Sequence, residues 1–259
     1  MALLAGGSFP TATRLGLAML AIQASIGSLN DFVDAALDAG RKTGKPIPNG
    51  HATRQEAVVI AVTGLAFGVA LTWPSGLAAT AVALAGAGGG YLYDLRLSRT
   101  AWSWLPFALG LPLVPIYAWL GVTADVPAPL LRLVPIGVLA GAGLALANGL
   151  ADFERDIAGG IETAAVKLGR ARAWAVHVGL LLAAMGLALV SLPRGGAGGA
   201  ASGGALSLFA FVLGAVLIVI GLVLGRDGGP HRRERAWELE ALGVAALGAG
   251  WVAAVAALG

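Results

Sequence analysis

Asn30, Asp34 and Asp38 lie four residues apart, and so do Asn148, Asp152 and Asp156, with a constant offset of 118 residues between the triplets. Residues four apart share a helix face. Each triplet is therefore a ladder of oxygen donors along one helical stripe, and Asp31 adds a further carboxylate beside the first. Both ladders close an apolar run. A lone aspartate at a helix end reads as a cap or a solvated charge. Here the carboxylates stand at C-terminal helix ends, where the helix dipole disfavours anions, and like charges repel along each stripe. That pattern calls for a compensating cation. Carboxylate and amide oxygens without histidine or cysteine favour a hard ion, Mg²⁺ or Ca²⁺, and Mg²⁺ commonly completes its shell with water and substrate phosphate oxygens. The expectation is that the two ladders face each other and hold Mg²⁺ around a diphosphate.

Basic and aromatic residues near the ladders extend this reading. Arg41, Lys42, Lys45, His51 and Arg54 follow the first ladder. Most of them satisfy a topological role alone, but a diphosphate keeps negative charge that metals do not cancel. Lys45 is the preferred diphosphate contact and Lys42 the next. The stretch from Tyr91 to Trp104 contains Tyr91, Tyr93, Asp94, Arg96, Arg99, Trp102 and Trp104. Trp102 and Trp104 suit an interfacial belt. The sharper expectation is a lid, with Arg99 meeting phosphate, Tyr91 or Tyr93 facing a cationic intermediate, and Asp94 taking up a proton. Lys167, downstream of the second ladder, is a further diphosphate candidate. The glycine tracts 86–90 and 195–204 lack a following Gly-Lys-Ser/Thr and do not match a phosphate loop. The Arg232-Arg233-Glu234-Arg235 cluster is read as cytoplasmic anchoring.

The elements that must carry these residues are membrane helices. Of 259 residues, 58% are hydrophobic and 12% charged, a balance that excludes an ordinary soluble domain. Eight spans are expected, at roughly 12–33, 54–73, 76–94, 102–121, 130–151, 170–192, 205–225 and 237–258, in a single membrane domain over 1–259. Breaks at Trp73-Pro74-Ser75-Gly76, at 124–129 and at 193–204 separate them. With these spans, 14 of the 17 basic residues fall on one face, and only Arg14, Arg132 and Arg194 fall on the other. Lysine and arginine mark the cytoplasmic side, and both ladders lie there. The net charge of +3 thus reflects topology and phosphate, with no nucleic-acid partner. The chain has no cysteine, which removes thiolate catalysis and zinc-thiolate sites. The first residues show no cleavable signal.

Three segments together resemble a known family. Asn30 to Asp38 with Lys45-Pro46-Ile47-Pro48-Asn49-Gly50 is similar to the first aspartate motif and basic-proline segment of UbiA-type intramembrane prenyltransferases. Tyr93 to Thr100 resembles that family's loop after its fourth helix. Asn148 to Asp156, with Ala158 to Thr163 and Val166 to Gly169, resembles the second aspartate motif and its tail. The likeness runs from about residue 12 to the C-terminus.

This resemblance implies an all-α transmembrane bundle around a central cavity, with Mg²⁺ held between the motifs. It implies transfer of a prenyl group from a prenyl diphosphate to an aromatic or lipid acceptor. Asn30, Asp34, Asp152 and Asp156 would be the principal metal ligands, with Asp31 and Asp38 supporting. The expected location is multi-pass in a prokaryotic cytoplasmic membrane, with the active site cytoplasmic. Two departures stand out. The family's helix before the first motif, with its basic residue, has no counterpart among the eight expected spans. Ser98 stands where the loop often carries lysine, and neighbouring Arg99 is the substitute. Two alternatives remain at this level: a terpene cyclase using the same ionisation without an acceptor, and an ion-coupled transporter. The even number of spans between the ladders and their common membrane face fit the transporter less well.

Overall fold

The computed structural model describes residues 1–40, 44–192 and 201–256. Among the described residues the regular elements are all helical. They are α1 (Phe9–Asp38), α2 (Arg54–Thr72), α3 (Leu77–Leu92), α4 (Leu105–Leu120), α5 (Leu133–Ala151), α6 (Phe153–Ala158), α7 (Ala164–Leu168), α8 (Arg170–Val190), α9 (Ala201–Arg226) and α10 (Pro230–Ala256). The long helices occupy the eight expected spans. Six of them, α1, α2, α5, α8, α9 and α10, are long and apolar enough to cross a bilayer. Helices α3 and α4 have 16 residues each, about 24 Å at 1.5 Å per residue.

Local chemistry explains the main boundaries. Ser8 caps α1 and Pro10 occupies its first turn, where a missing N–H costs nothing. Thr53 and Glu56 form a reciprocal capping box at the start of α2. Pro74 and Gly76 separate α2 from α3. Gly40, at φ +71°, follows the last residues of α1 and turns the chain back, a left-handed position that disfavours a side chain.

The chain divides into two compact units, one built from Ala2–Ser98 and Tyr117–Asp125, the other from Arg99–Ile116 and Val126–Gly259. In the first, α1 lies along α2 and α3 packs on both. Its core holds Leu15, Ile22, Ala83, Ala87 and Tyr117. Arg14, one of the few basic residues off the basic face, is consumed by this packing. Its guanidinium donates to the Leu71 carbonyl near the end of α2 and to Ser75 Oγ at 2.7 Å, and Ser75 donates to the Gly121 carbonyl at 2.8 Å.

In the second unit α9 lies along α10, and α5 packs against α8 and α10. Small residues recur at seven-residue intervals along the α9–α10 seam: Gly214 faces Gly243, Gly221 faces Ala236 and Glu240, and Gly250 faces Ser207 and Ala210. A Cβ at Gly214 would meet the Gly243 carbonyl at 2.6 Å, and one at Gly243 would meet the Gly214 carbonyl at 2.8 Å. Such close backbone approach is how helices gain contact in lipid, where no hydrophobic force draws them together. The outer faces are apolar. Val59, Val62 and Phe67 on α2 and Phe209, Val216 and Val223 on α9 are all exposed. Bands of that size are unfavourable in water and suit hydrocarbon. The protein is an integral, multi-pass membrane protein.

Candidate functional site

The first ladder forms as the spacing requires. Asn30, Asp34 and Asp38 lie on the last turns of α1, which runs past the expected end at residue 33 to Asp38. After Gly40 the chain returns and places Lys45 over this stripe. Lys45 Nζ stands 2.7 Å from Asp31 Oδ1, 3.5 Å from Asp38 Oδ2 and 3.2 Å from Asn30 Oδ1. An ammonium has three donors, and these oxygens surround it. Burial pulls the Lys45 pKa down, but Asp31 and Asp38 together outweigh that and hold it above the ordinary lysine value.

Asn30 works in the other direction. Its amide nitrogen donates to Asp34 Oδ2 and to Asp94 Oδ1, both at 3.2 Å. Asp94 comes from a π-helical turn, Tyr93–Leu97, that ends α3 and is closed by Ser98 N–H donating to the Tyr93 carbonyl at 2.8 Å. The wider turn changes the helical register, leaving Leu92 and Leu95 exposed and Asp94 buried. The second carboxylate oxygen of Asp94 is buried with no hydrogen-bond partner. Tyr91 is committed to the core instead: its hydroxyl lies 2.5 Å from Ser25 Oγ, and Ser25 donates to the Ala61 carbonyl. Tyr93 is half-buried beside Asp94 in the turn. Lys42 lies outside the described residues.

The second ladder differs in shape. Helix α5 ends at Ala151, and Asp152 adopts φ −94°, ψ 3° before α6 begins at Phe153. The backbone keeps its helical bonds through the break, with Asp152 N–H to the Asn148 carbonyl at 3.2 Å and Asp156 N–H to the Asp152 carbonyl at 2.9 Å. The stripe is thus bent at its middle residue rather than continuous. Aspartate favours such breaks because its short side chain competes for local hydrogen bonds, and here the Asp152 carboxylate takes the Arg155 guanidinium. Thr163 Oγ1 donates to Asp156 Oδ2 at 3.1 Å. Lys167 is half-exposed and paired with Glu162 at 2.6 Å. Arg99 is exposed in the same unit.

The sequence reading missed one network. Glu154, between the two aspartates, accepts from Arg233 Nη2 and lies 3.5 Å from Arg170. Burial is the largest single influence and raises the Glu154 pKa, but Arg233, a backbone hydrogen bond and Arg170 together outweigh it and hold the carboxyl below its ordinary value. Arg233 is therefore not an anchoring residue like its neighbours: it is 4% exposed, while Arg232 and Arg235 are exposed. A signal was present. Arg233, Ala236, Glu240, Gly243, Leu247 and Gly250 are buried along α10 at helical spacing, so the stripe carries an arginine inward.

Among the described residues no three histidine, cysteine, aspartate or glutamate side chains converge into a ready-made metal cluster. In the first unit, Lys45 supplies the positive charge beside the ladder. The donor set nonetheless fits a hard divalent ion. Asn30, Asp31, Asp34, Asp38 and Asp94 offer only oxygen ligands, and one buried carboxylate oxygen of Asp94 lacks a partner.

Comparisons with known proteins show the family and the fold. The family model described as "UbiA prenyltransferase family" matches residues 1–244. A UbiA homologue from Aeropyrum pernix K1 superposes with a TM-score of 0.77 at 17% identity, covering 96% of this chain and 92% of that one. A UbiA homologue from Archaeoglobus fulgidus, solved with DMAPP and Mg²⁺, gives a TM-score of 0.70 at 18% identity, covering 94% and 88%. Among curated proteins, glycinol 4-dimethylallyltransferase from Glycine max is 28% identical over 192 residues, which are 68% of this chain. The chain spans about half the length (46%) of that relative. The chain belongs to the UbiA prenyltransferase family.

Proposed function

We propose that this protein transfers a prenyl group from a prenyl diphosphate to a hydrophobic or aromatic acceptor within the membrane, with Mg²⁺ as cofactor. The observation that carries this reading is the oxygen-rich end of α1. Asp31, Asp38 and Asn30 meet the Lys45 ammonium, and the Asn30 amide in turn holds Asp34 and buried Asp94, in an otherwise apolar protein. The Archaeoglobus fulgidus homologues solved with DMAPP and Mg²⁺ and with GPP and Mg²⁺, and the dimethylallyltransferase, support the substrate class.

Asn30, Asp31, Asp34 and Asp38 would hold metal in the first unit, and Asp152 and Asp156 in the second. Bound Mg²⁺ supplies Lewis-acid stabilisation of the diphosphate leaving group. The protein's own residues do the rest. Lys45 keeps a cation beside the oxygens at the end of α1, where diphosphate charge grows as the C–O bond ionises. Lys42, Arg99 and Lys167 are the further diphosphate contacts of this reading. The ring of Tyr93 stabilises the allylic cation by its face. The partnerless oxygen of Asp94 takes the proton released after the acceptor attacks. Apolar helices keep water from the cation. Both ladders lie on the basic, cytoplasmic side of a single membrane domain.

The test uses membranes containing the protein, Mg²⁺ and labelled prenyl diphosphate with a panel of acceptors. Asp34→Ala and Asp152→Ala should each lower turnover at least about a hundredfold. Wild-type-like turnover in both variants removes the site.

A further inference from the structure

A cavity of about 540 Å³ opens among α5, α8, α9 and α10, within the second unit. It is separate from the α1 ladder. Its wall contains Arg233, Trp237, Glu240, His177, Arg170 and Arg226. Three of these carry buried polar atoms that nothing in the protein satisfies: Arg233 Nε and Nη1, Trp237 Nε1 and Glu240 Oε2. Arg233 and Glu240 are 4% and 2% exposed. Leaving one buried polar group unpaired costs about 1–3 kcal/mol, more for charged groups, so several at one cavity point to a ligand that pairs them.

The unsatisfied set reads as a chemical template. Three N–H donors, two of them on a guanidinium, call for an oxyanion. One acceptor, Glu240 Oε2, calls for a hydroxyl on the same ligand. Glu240 does not repel that anion. His177 Nδ1 lies 2.9 Å from the Gly143 carbonyl and must donate to it, and His177 Nε2 lies 3.3 Å from Glu240 Oε1. A proton must lie between Nε2 and Oε1, because two acceptors would repel. The pair is then neutral overall whichever partner holds the proton. Of the remaining charges on the wall, the Asp227 carboxylate lies 3.9 Å from Arg226, and the three arginines outnumber that one carboxylate. Arg170 opens α8, Arg226 closes α9 with its guanidinium over Trp174, and Arg233 is in the first turn of α10. These three helix ends belong to the basic side expected from the charge pattern. Leu150 and Trp174 add apolar wall to the cavity.

We infer that this cavity binds the phosphate-plus-hydroxyl head of a glycerophosphate, with Arg233 and Trp237 on the phosphate and Glu240 on a glycerol hydroxyl. Nitrogen Nη2 of Arg233 already holds Glu154 in the second aspartate segment. The head group is thus one residue removed from that segment, and its occupancy would fix the Arg233 fork. The inference stands apart from the transferase reading, since its readout is binding.

The purified protein is titrated with dioleoyl phosphatidylglycerol or dioleoyl phosphatidylcholine, and bound lipid is counted by native mass spectrometry. Choline lacks the hydroxyl and brings a cation toward the arginines. Phosphatidylglycerol should be retained about tenfold better than phosphatidylcholine. Arg233→Gln should abolish the preference, and Trp237→Phe, which keeps the ring and removes only the N–H, should weaken it several-fold. The Phe variant keeps the test decisive should the Gln variant fold poorly. Millimolar sn-glycerol 3-phosphate forms a second arm. Displacement of the lipid identifies the head group as sufficient, and its failure identifies the lipid as the source. Equal retention of both lipids by the wild type, or an undiminished preference in Trp237→Phe, overturns the inference.

Discussion

Lys45 is the residue on which the first ladder depends. Its ammonium bridges Asp31, Asp38 and Asn30 while its side chain is 23% exposed. Removing it leaves carboxylates on one stripe without that counter-charge, at a helix end whose dipole already disfavours them. Lys45→Gln should lower stability by about 1–3 kcal/mol, read as thermal unfolding in detergent without metal. Added Mg²⁺ should then raise the melting temperature more in the variant than in the wild type, because oxygens freed from the ammonium become metal ligands. Equal Mg²⁺ shifts in both proteins would count against these oxygens as donors. The candidacy of Lys45 was legible from its nearness to an acidic run. That it lies on the carboxylates was not legible, since a return loop turned by Gly40 decides the distance. Asp94 illustrates the same limit: its approach to Asn30 depends on one π-helical turn, a register change that spacing does not encode.

Among the elements, helix positions were readable because apolar length and breakers determine them, and the eight expected spans coincide with the long helices. What was not readable is which faces meet. The α9–α10 seam rests on glycines whose sequence neighbours are also small or apolar, so periodicity alone does not distinguish the packed stripe from the lipid-facing one. The geometry does. Gly214→Ala would place a Cβ 2.6 Å from the Gly243 carbonyl, a backbone atom that cannot turn aside. The helices must separate, and the variant should lose about 1–3 kcal/mol. Gly186→Ala on α8 is the control: its Cβ meets nothing within 4 Å, and exchange of an open helical glycine for alanine should leave stability unchanged or raise it by up to about 1 kcal/mol. Parallel thermal melts of the two variants check this, and equal melting temperatures would refute the close-packed seam. The Arg233 stripe teaches the converse lesson. A basic cluster of three arginines looked uniform by composition, yet helical spacing sends one of them inside.

For the molecule as a whole, the proposed cytoplasmic location of both ladders depends on α3 and α4 crossing the bilayer. Each is about 24 Å long, shorter than the roughly 30 Å hydrocarbon core. The π-helical turn of Tyr93–Leu97 lengthens α3 beyond its regular part, and the bilayer thins locally around short spans at a cost of fractions of a kcal/mol per Å. Crossing by both is therefore the expectation to test. The absence of cysteine makes the crossing count directly measurable. His51, Arg96 and Asp125 are exposed and sit between α1 and α2, between α3 and α4, and after α4. Single cysteines at these positions should divide by side in whole cells. Asp125→Cys should react with a membrane-impermeant maleimide directly, whereas His51→Cys and Arg96→Cys should react only after permeabilisation. If α4 fails to cross, Arg96→Cys and Asp125→Cys label together; if α3 fails, His51→Cys and Arg96→Cys separate. Either pattern would move one ladder to the opposite face from the other, because the 118 residues between them would then contain an odd number of crossings, and two sets of carboxylates on opposite faces cannot serve one diphosphate.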